Sequence, residues 1–161
     1  MKKRLIWILI AFLVLSALPP LALAKSPTVK MTVSGGELPS AIEITDPQVL
    51  GISSIWGGQF LDSTRGVLKE PPRELPTYEI WFYIQVSDKS IKKRYVVYYS
   101  PDASPGQGYV YLPGEGQPWY WLNVSAMLRQ GRDGKWSYAS PAWEELLKPM
   151  IARGQVVDAK R

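Results

Sequence analysis

The chain after residue 24 begins with short stretches in which apolar and polar side chains alternate. Residues 28–33 alternate strictly, and residues 41–45 repeat the pattern briefly. A period of two residues places the apolar side chains on one side of an extended chain and is typical of a half-buried strand. Asp46 and Pro47 then suit the N-cap and first position of a helix. We therefore predict two strands followed by a short helix that ends near Gly51.

Two longer apolar stretches, residues 78–87 and 94–100, predict the central hairpin of the fold. A turn at residues 89–90 pairs Phe82 with Val97, and in this register every strongly apolar residue of that face meets another. The opposite face of the same two strands is also rich in large apolar side chains. Such a sheet is either covered on both sides or displays a binding surface on one of them.

The next segment contains two aromatic runs, residues 109–112 and 119–123, separated by a loop rich in Gly and Pro. Strand-forming runs that flank such a loop predict a second hairpin. In this hairpin Trp119 and Trp121 share one face, because they are two residues apart. A further short strand is expected at residues 136–138.

The last part of the chain has a helical period. Ser140 and Pro141 suit the N-cap and first position of a helix, whereas Pro149 should kink or shorten it and Gly154 should end it. Apolar residues recur along it at intervals of three and four and form one stripe, which we expect to cover a face of the sheet. The stripe consists of Trp143, Leu146, Leu147, Met150 and Ile151.

Together these elements predict an α+β fold that is mainly β. It consists of an antiparallel β-meander of about four to six strands with a C-terminal amphipathic helix packed on the sheet. Residues 25–161 then form a single globular domain. Residues 65–77 contain three prolines and alternating charges, so we expect them to form an exposed connection within that domain.

Residues 1–24 have the three parts of a secretory signal peptide. Basic residues 2–4 precede an apolar run over residues 5–18, and Ala22 and Ala24 form a small-residue cleavage site. The apolar run has about 14 residues, whereas a helix needs roughly 20 to span a bilayer. We therefore predict cleavage after Ala24 and an exported bacterial protein, periplasmic or secreted, with no membrane attachment after cleavage.

Composition excludes several kinds of chemistry. The chain contains no Cys and no His, so it cannot build Ser-His-Asp or Cys-His nucleophile systems, or a zinc site of imidazole or thiolate ligands. After removal of the signal peptide, 16 Lys and Arg stand against 14 Asp and Glu. This small basic excess, with one dense cluster at residues 89–94, argues against a nucleic-acid partner. No calcium-loop motif occurs, and we predict no metal and no cofactor.

The mature chain is rich in aromatic residues, with six Trp and nine Tyr. Flat rings stack on the apolar faces of sugars, while the polar tips of Tyr and Trp form hydrogen bonds. An aromatic ligand-binding face, with a polysaccharide or an envelope protein as partner, is therefore one hypothesis. The other, which the residue types alone favour, is that the rings fill the core, because sheets prefer aromatic residues. The predicted binding residues are Trp81, Tyr109, Tyr111, Trp119 and Trp121.

A second hypothesis is a small hydrolase that acts on an extracellular polymer through carboxylates. Glycoside hydrolysis needs two acids about 5–10 Å apart, and the candidates are Glu79, Asp102 and Glu115. None of the three lies in a recognisable motif, so we predict no catalytic residue. The sequence favours an exported, non-catalytic binding or interaction protein of the cell envelope or the medium.

Overall fold

The computed structural model describes residues 25–70, 74–86, 89–104, 107–129 and 131–158, and the predicted signal peptide lies outside these ranges. No helix within them is long and apolar enough to cross a membrane. The described helices are α1 (Pro47–Gly51), α2 (Tyr120–Ala126) and α3 (Pro141–Asp158). The described strands are β1 (Thr28–Gly35), β2 (Ile42–Ile44), β3 (Val67–Leu68), β4 (Tyr78–Gln85), β5 (Ile91–Ser100), β6 (Tyr109–Tyr111) and β7 (Trp136–Tyr138).

All seven strands belong to one antiparallel sheet in the order β2-β1-β4-β5-β6-β7-β3. β4 to β7 are consecutive in the chain and adjacent in the sheet, so they form the predicted meander. The α+β, mainly β fold with a C-terminal helix is confirmed. The sheet has one strand more than expected, because Val67 and Leu68 pair with β7 inside the segment that was predicted to be an exposed connection.

One face of the sheet carries the core. α3 buries Trp143 and Leu147 against this face, which confirms the predicted apolar stripe. Phe60, in the segment after α1, fills the centre of the layer: its ring centroid lies 5.2 Å from that of Phe82 and 6.1 Å from that of Trp143. The core face is therefore closed by α3 together with α1 and the segment that follows it.

α3 runs beyond the point at which it was expected to stop. The helix continues through Pro149 and Gly154 to Asp158, so the predicted end at Gly154 is wrong. Gly154 has a packing role instead, because a Cβ atom at this position would lie 2.7 Å from Cγ2 of Ile42. The missing side chain lets the helix approach β2 closely.

The central hairpin has the predicted faces but a different register. Phe82 lies opposite Tyr95, and Ile80 lies opposite Val97, so the predicted pairing of Phe82 with Val97 is wrong by two residues. Nearer the turn, Tyr83 pairs with Lys93, three residues from the predicted register, and the extra residue at Arg94 in β5 reduces this difference to two. Neither the position of the turn nor the bulge can be read from alternation alone. A shift by two residues keeps every side chain on its predicted face.

Candidate functional site

The second face of the sheet is lined by aromatic rings. Side chains alternate between the two faces along each strand, so the neighbours of core residues in β4, β5, β6 and β7 all lie on this face. α1 and α3 pack on the opposite side. We call these rings the aromatic band; they are Trp81, Tyr83, Tyr98, Tyr109, Tyr111, Trp136 and Tyr138.

Cross-strand contacts join the rings of the band from β5 to β7. The ring centroids of Tyr98 and Tyr111 are 6.3 Å apart, and those of Tyr111 and Trp136 are 5.2 Å apart. Tyr109 and Tyr138 are 5.4 Å apart in the next row. These separations are those of favourable aromatic pairs, so the rings hold one another in a continuous surface.

The rings of the band differ in their access to solvent. Trp81 is 6% exposed and Tyr109 is 2% exposed, so these two predicted binding residues form the floor of the surface. Tyr98, Tyr111 and Trp136 are only half-buried and present part of each ring to solvent. Of the predicted binding residues that lie on the sheet, Tyr111 is therefore the one that solvent can reach.

Residues 119–126 form a turn and the helix α2 rather than the predicted second strand. The predicted second hairpin is wrong because β7, and not residues 119–123, pairs with β6. Trp119 has a left-handed φ of 68° that turns the chain into α2. Before this turn, Oε1 of Gln117 accepts hydrogen bonds from the Tyr111 hydroxyl at 2.5 Å and the Gly114 amide at 2.6 Å. The loop is thus fixed to the edge of the band.

The two tryptophans predicted from this segment have different surroundings. Trp119 is 47% exposed and packs edge-on against Trp81, with a centroid separation of 4.8 Å. Trp121 is 71% exposed and packs on Tyr120 of α2, 5.3 Å away. The fold therefore brings Trp119 to the aromatic band, whereas the ring contact of Trp121 lies within α2.

Two lysines sit on rings at the end of the band nearest β1. Lys30 Nζ lies 4.7 Å from the ring centroid of Tyr83, and Lys93 Nζ lies 4.5 Å from that of Trp81. Attraction between a cation and the face of a ring holds such a pair together. Lys30 also donates to Glu43 at 2.8 Å, and this hydrogen bond raises the pKa of Lys30. The lysine is therefore charged at neutral pH.

An arginine occupies the opposite end of the band. The guanidinium carbon of Arg65 lies 3.3 Å from the ring centroid of Tyr138. Arg65 precedes β3, so the pairing of β3 with β7 brings it to this position. The aromatic band consequently has basic side chains at both ends, and Asp62 interacts electrostatically with the arginine.

Glu79 is the predicted acid that contacts the band. Its Oε1 atom accepts a hydrogen bond from Trp81 Nε1 at 2.5 Å. Burial raises the pKa of the Tyr98 hydroxyl, and the negative charge of Glu79 raises it further. Tyr98 is therefore protonated at neutral pH, and its hydroxyl donates a hydrogen bond to the Glu79 carboxylate.

The other two candidate acids lie in separate loops. Asp102 follows β5, is 7% exposed, and accepts a hydrogen bond from the Ser104 amide at 2.9 Å. Glu115 is exposed in the loop after β6. In the described part of the chain, no group of three or more acidic side chains is placed to hold a metal ion.

A groove lies on the other side of the molecule, between β1 and α1. Its volume is about 620 Å³, and its lining includes Thr28, Pro47, Leu50 and Trp56. That volume falls in the range of small-molecule sites. The groove contains none of the residues predicted for binding, and Lys25 is the one charged residue in its lining. The aromatic band is therefore the better candidate for a site that uses rings and charge.

Four rings of the band, Tyr83, Tyr98, Trp136 and Tyr138, were not predicted as site residues. Alternation along each strand already placed Trp136 and Tyr138 on a common face. The sequence pattern did not reveal the order of the strands in the sheet. β7 reaches the band by pairing with β6, although α2 and its flanking loops separate the two strands in the chain.

Comparison of the chain with protein-family models, with curated proteins and with solved structures gives no match. Its function must therefore be inferred from the aromatic band and from the charges around it.

Proposed function

We propose that this protein is an exported, non-catalytic binding protein of the cell envelope or the medium, and that its aromatic band binds a sugar polymer. One observation carries the proposal. The sheet is apolar on both faces, yet α1 and α3 pack on one face while Tyr98, Tyr111 and Trp136 are only half-buried on the other. Contiguous, partly exposed rings on a sheet face are typical of an interaction site.

The chemistry of the band suits sugars. An exposed ring face packs against the apolar C–H face of a sugar, and the phenol and indole tips supply hydrogen bonds around it. Neighbouring strands are about 4.8 Å apart, so the rings from β4 to β7 span roughly 15 Å. A surface of this length suits several units of an extended polymer better than one small molecule.

Export is supported by the signal pattern of residues 1–24 together with the start of the described domain. The Ser26 carbonyl accepts a hydrogen bond from Trp56 Nε1 at 2.8 Å. Cleavage after Ala24 leaves Ser26 in the mature chain, so this hydrogen bond is kept.

A non-catalytic role is supported by the placement of the three candidate acids. Glu79 lies in the band and bonds to Trp81, whereas Asp102 and Glu115 lie in the loops after β5 and β6. Hydrolysis of a glycosidic bond needs a second acid beside the first, about 5–10 Å away. If the protein is instead a hydrolase, it should release sugar from a bound polymer, and the following experiment also measures this release.

The test is retention on a panel of insoluble polymers, including peptidoglycan, chitin and cellulose. Tyr111→Ala/Trp136→Ala removes two accessible rings of the band, and Trp56→Ala is the matched control that removes an indole from the opposite groove. We expect retention of the wild type on at least one polymer without release of sugar, retention of the control, and loss of retention in the double variant. Thermal melting must show that the double variant is folded.

Two outcomes overturn the proposal: a folded double variant retained as well as the wild type, or a wild type retained on no polymer. Release of reducing sugar from the polymer would instead favour the hydrolase.

A further inference from the structure

We infer that the groove between β1 and α1 is a second binding site, whose ligand is a small amphiphile with a hydrocarbon chain and one anionic head group. This site lies apart from the aromatic band, so the inference goes beyond the proposed binding of a sugar polymer. It follows from the apolar walls of the groove and from the charge of Lys25 at its end.

Apolar side chains line the groove on both of its sides. Pro27 and Val29 lie on the β1 side, whereas Pro47, Leu50 and Trp56 lie on the side of α1 and the segment that follows it. A volume of about 620 Å³ with mainly apolar walls is typical of a small-molecule site. A hydrocarbon chain between these walls removes apolar surface of both partners from water.

Two polar side chains of the lining donate to the backbone of the protein itself. The Thr28 hydroxyl donates to the Ser53 carbonyl at 2.8 Å, and the indole N–H of Trp56 donates to the Ser26 carbonyl at 2.8 Å. A sugar or a peptide brings polar groups that need partners when they are buried. Since these two donors already have acceptors, the groove suits a ligand whose buried part is a hydrocarbon.

Lys25 is the one charged residue in the lining. The residue is exposed, and its ammonium group forms no ion pair with an acidic side chain in the described part of the chain. An anionic head group complements this charge while the hydrocarbon chain contacts the walls. Cleavage after Ala24, as the sequence predicts, would add the α-ammonium group of Lys25 to the same end of the groove.

A second groove, of about 520 Å³, adjoins the first beside β2. Thr45 and Pro47 line both grooves. The charged residues of the second groove are two acids, Glu43 and Asp46, and one base, Arg153. Two acids against one base make that end the less favourable place for an anion, so the head group lies at the lysine and the chain extends towards Pro47.

Gly51 provides a way to fill the groove without disturbing the fold. It lies in the lining, at the end of α1, and an added Cβ atom there meets no atom within 4 Å. Gly66 has the same open surroundings but lies before β3, outside the lining. Gly51→Trp should therefore occupy the groove, and Gly66→Trp is the matched control.

The test measures the binding of decanoate to the mature protein by isothermal titration calorimetry, below the concentration at which decanoate forms micelles. The neutral probe is 1-decanol, and the cationic probe is decyltrimethylammonium. We expect decanoate to bind about threefold more tightly than 1-decanol, as an exposed ion pair allows, and the cationic probe to bind most weakly. From hexanoate to decanoate, each added methylene should raise the affinity about two- to fourfold.

Four variants and one spectrum locate the site. Gly51→Trp should weaken decanoate binding at least tenfold, whereas Gly66→Trp should leave it unchanged. Lys25→Glu should abolish the preference for decanoate over 1-decanol, and Lys92→Glu, the same change at an exposed position of β5, should keep it. Thermal melting checks that each variant is folded. In NMR spectra of the wild type, decanoate should shift the Gly51 amide and the Trp56 indole signals saturably, which locates the site without any variant.

Several results would overturn the inference. Failure to bind decanoate, or saturable shifts confined to the aromatic band or the core, would remove the site. Equal affinity for decanoate and 1-decanol would contradict the anionic head group. Equal losses in the two tryptophan variants, or in the two glutamate variants, would contradict the assignment to this groove. The proposed function stands or falls separately, because its test uses polymers and the rings of the band.

Discussion

Asn123 bonds to both backbone polar groups of Val96. Its Nδ2 atom donates to the Val96 carbonyl at 2.8 Å, and its Oδ1 atom accepts from the Val96 amide at 2.9 Å. β6 pairs with β5 only from Tyr98 to Ser100, so the Asn123 amide occupies the place that a longer β6 would take. This fully buried side chain fixes α2 to the sheet and thereby places Trp119 on the aromatic band.

Replacement of Asn123 by Ala should be strongly destabilising. The variant leaves the Val96 amide and carbonyl without partners, and each such buried group costs about 1–3 kcal/mol. We expect urea denaturation to show a loss of about 2–4 kcal/mol in the free energy of unfolding. Ser125→Ala is the control, because Ser125 is exposed and its hydroxyl donates within its own helical turn, to the Leu122 carbonyl. Similar losses in both variants would contradict the role of Asn123.

Two buried tyrosines of β5 should respond differently to loss of their hydroxyl groups. Tyr99 donates to Glu144 Oε1 at 2.6 Å, whereas the Tyr95 hydroxyl has no hydrogen-bond partner among the described residues. Tyr99→Phe removes a bond to a buried carboxylate and should cost about 1.5–3 kcal/mol. Tyr95→Phe removes a buried hydroxyl that makes no such bond, so it should not lower the free energy of unfolding. Urea denaturation at neutral pH measures the free energy of unfolding of both variants. Equal losses in the two variants would contradict this prediction.

Alkaline pH should destabilise the fold through Tyr95. Burial raises the pKa of Tyr95 to about 12, whereas an unfolded tyrosine titrates near 10. The unfolded state therefore loses its proton first, so this contribution is complete below pH 10 and is lost as the pH rises to about 12. The difference in unfolding free energy between wild type and Tyr95→Phe should change by roughly 3 kcal/mol over this interval. Parallel pH profiles for the two proteins would contradict the raised pKa.

The two tryptophans at the start of α2 should differ in their effect on binding. Trp119 packs on Trp81 at the edge of the band, so Trp119→Ala should weaken retention on the polymer. Trp121 is 71% exposed, and Trp121→Ala should change stability by less than about 0.5 kcal/mol and leave retention unchanged. Retention assays on both variants make the comparison. Loss of retention in Trp121→Ala alone would move the site from the sheet to α2.

The fold was predictable where a single period dominates a segment. Alternation in residues 28–33 and the apolar stripe of α3 each identify an element and its buried face. The register of the central hairpin was not predictable, because neither the position of its turn nor the extra residue at Arg94 changes the alternation of apolar and polar residues. The segment 119–123 was assigned to the wrong element, since its aromatic residues favour a strand while the pairing of Asn123 with Val96 stabilises a helix there.

The sequence predicted that the candidate site is aromatic, but it did not predict which aromatic residues form it. The sequence shows that both faces of the central strands are apolar, but the face that a helix covers depends on how the chain returns to the sheet. Tyr111 of the band and Trp119, which packs on it, were expected to bind ligand and are accessible, whereas the band residues Trp81 and Tyr109 are buried. Arg65 reaches Tyr138 only through the two-residue strand β3, which is too short to predict from a pattern.

The location of the bound ligand tests the central claim most directly. Backbone amide NMR spectra can be recorded while soluble fragments of a retained polymer are added to the mature protein. We predict that the saturable shifts cluster at Tyr98, Tyr111, Trp119 and Trp136, with little change in the groove around Leu50 and Trp56. Shifts confined to that groove or to α3, with the band unaffected, would contradict the assignment of the aromatic band as the binding surface.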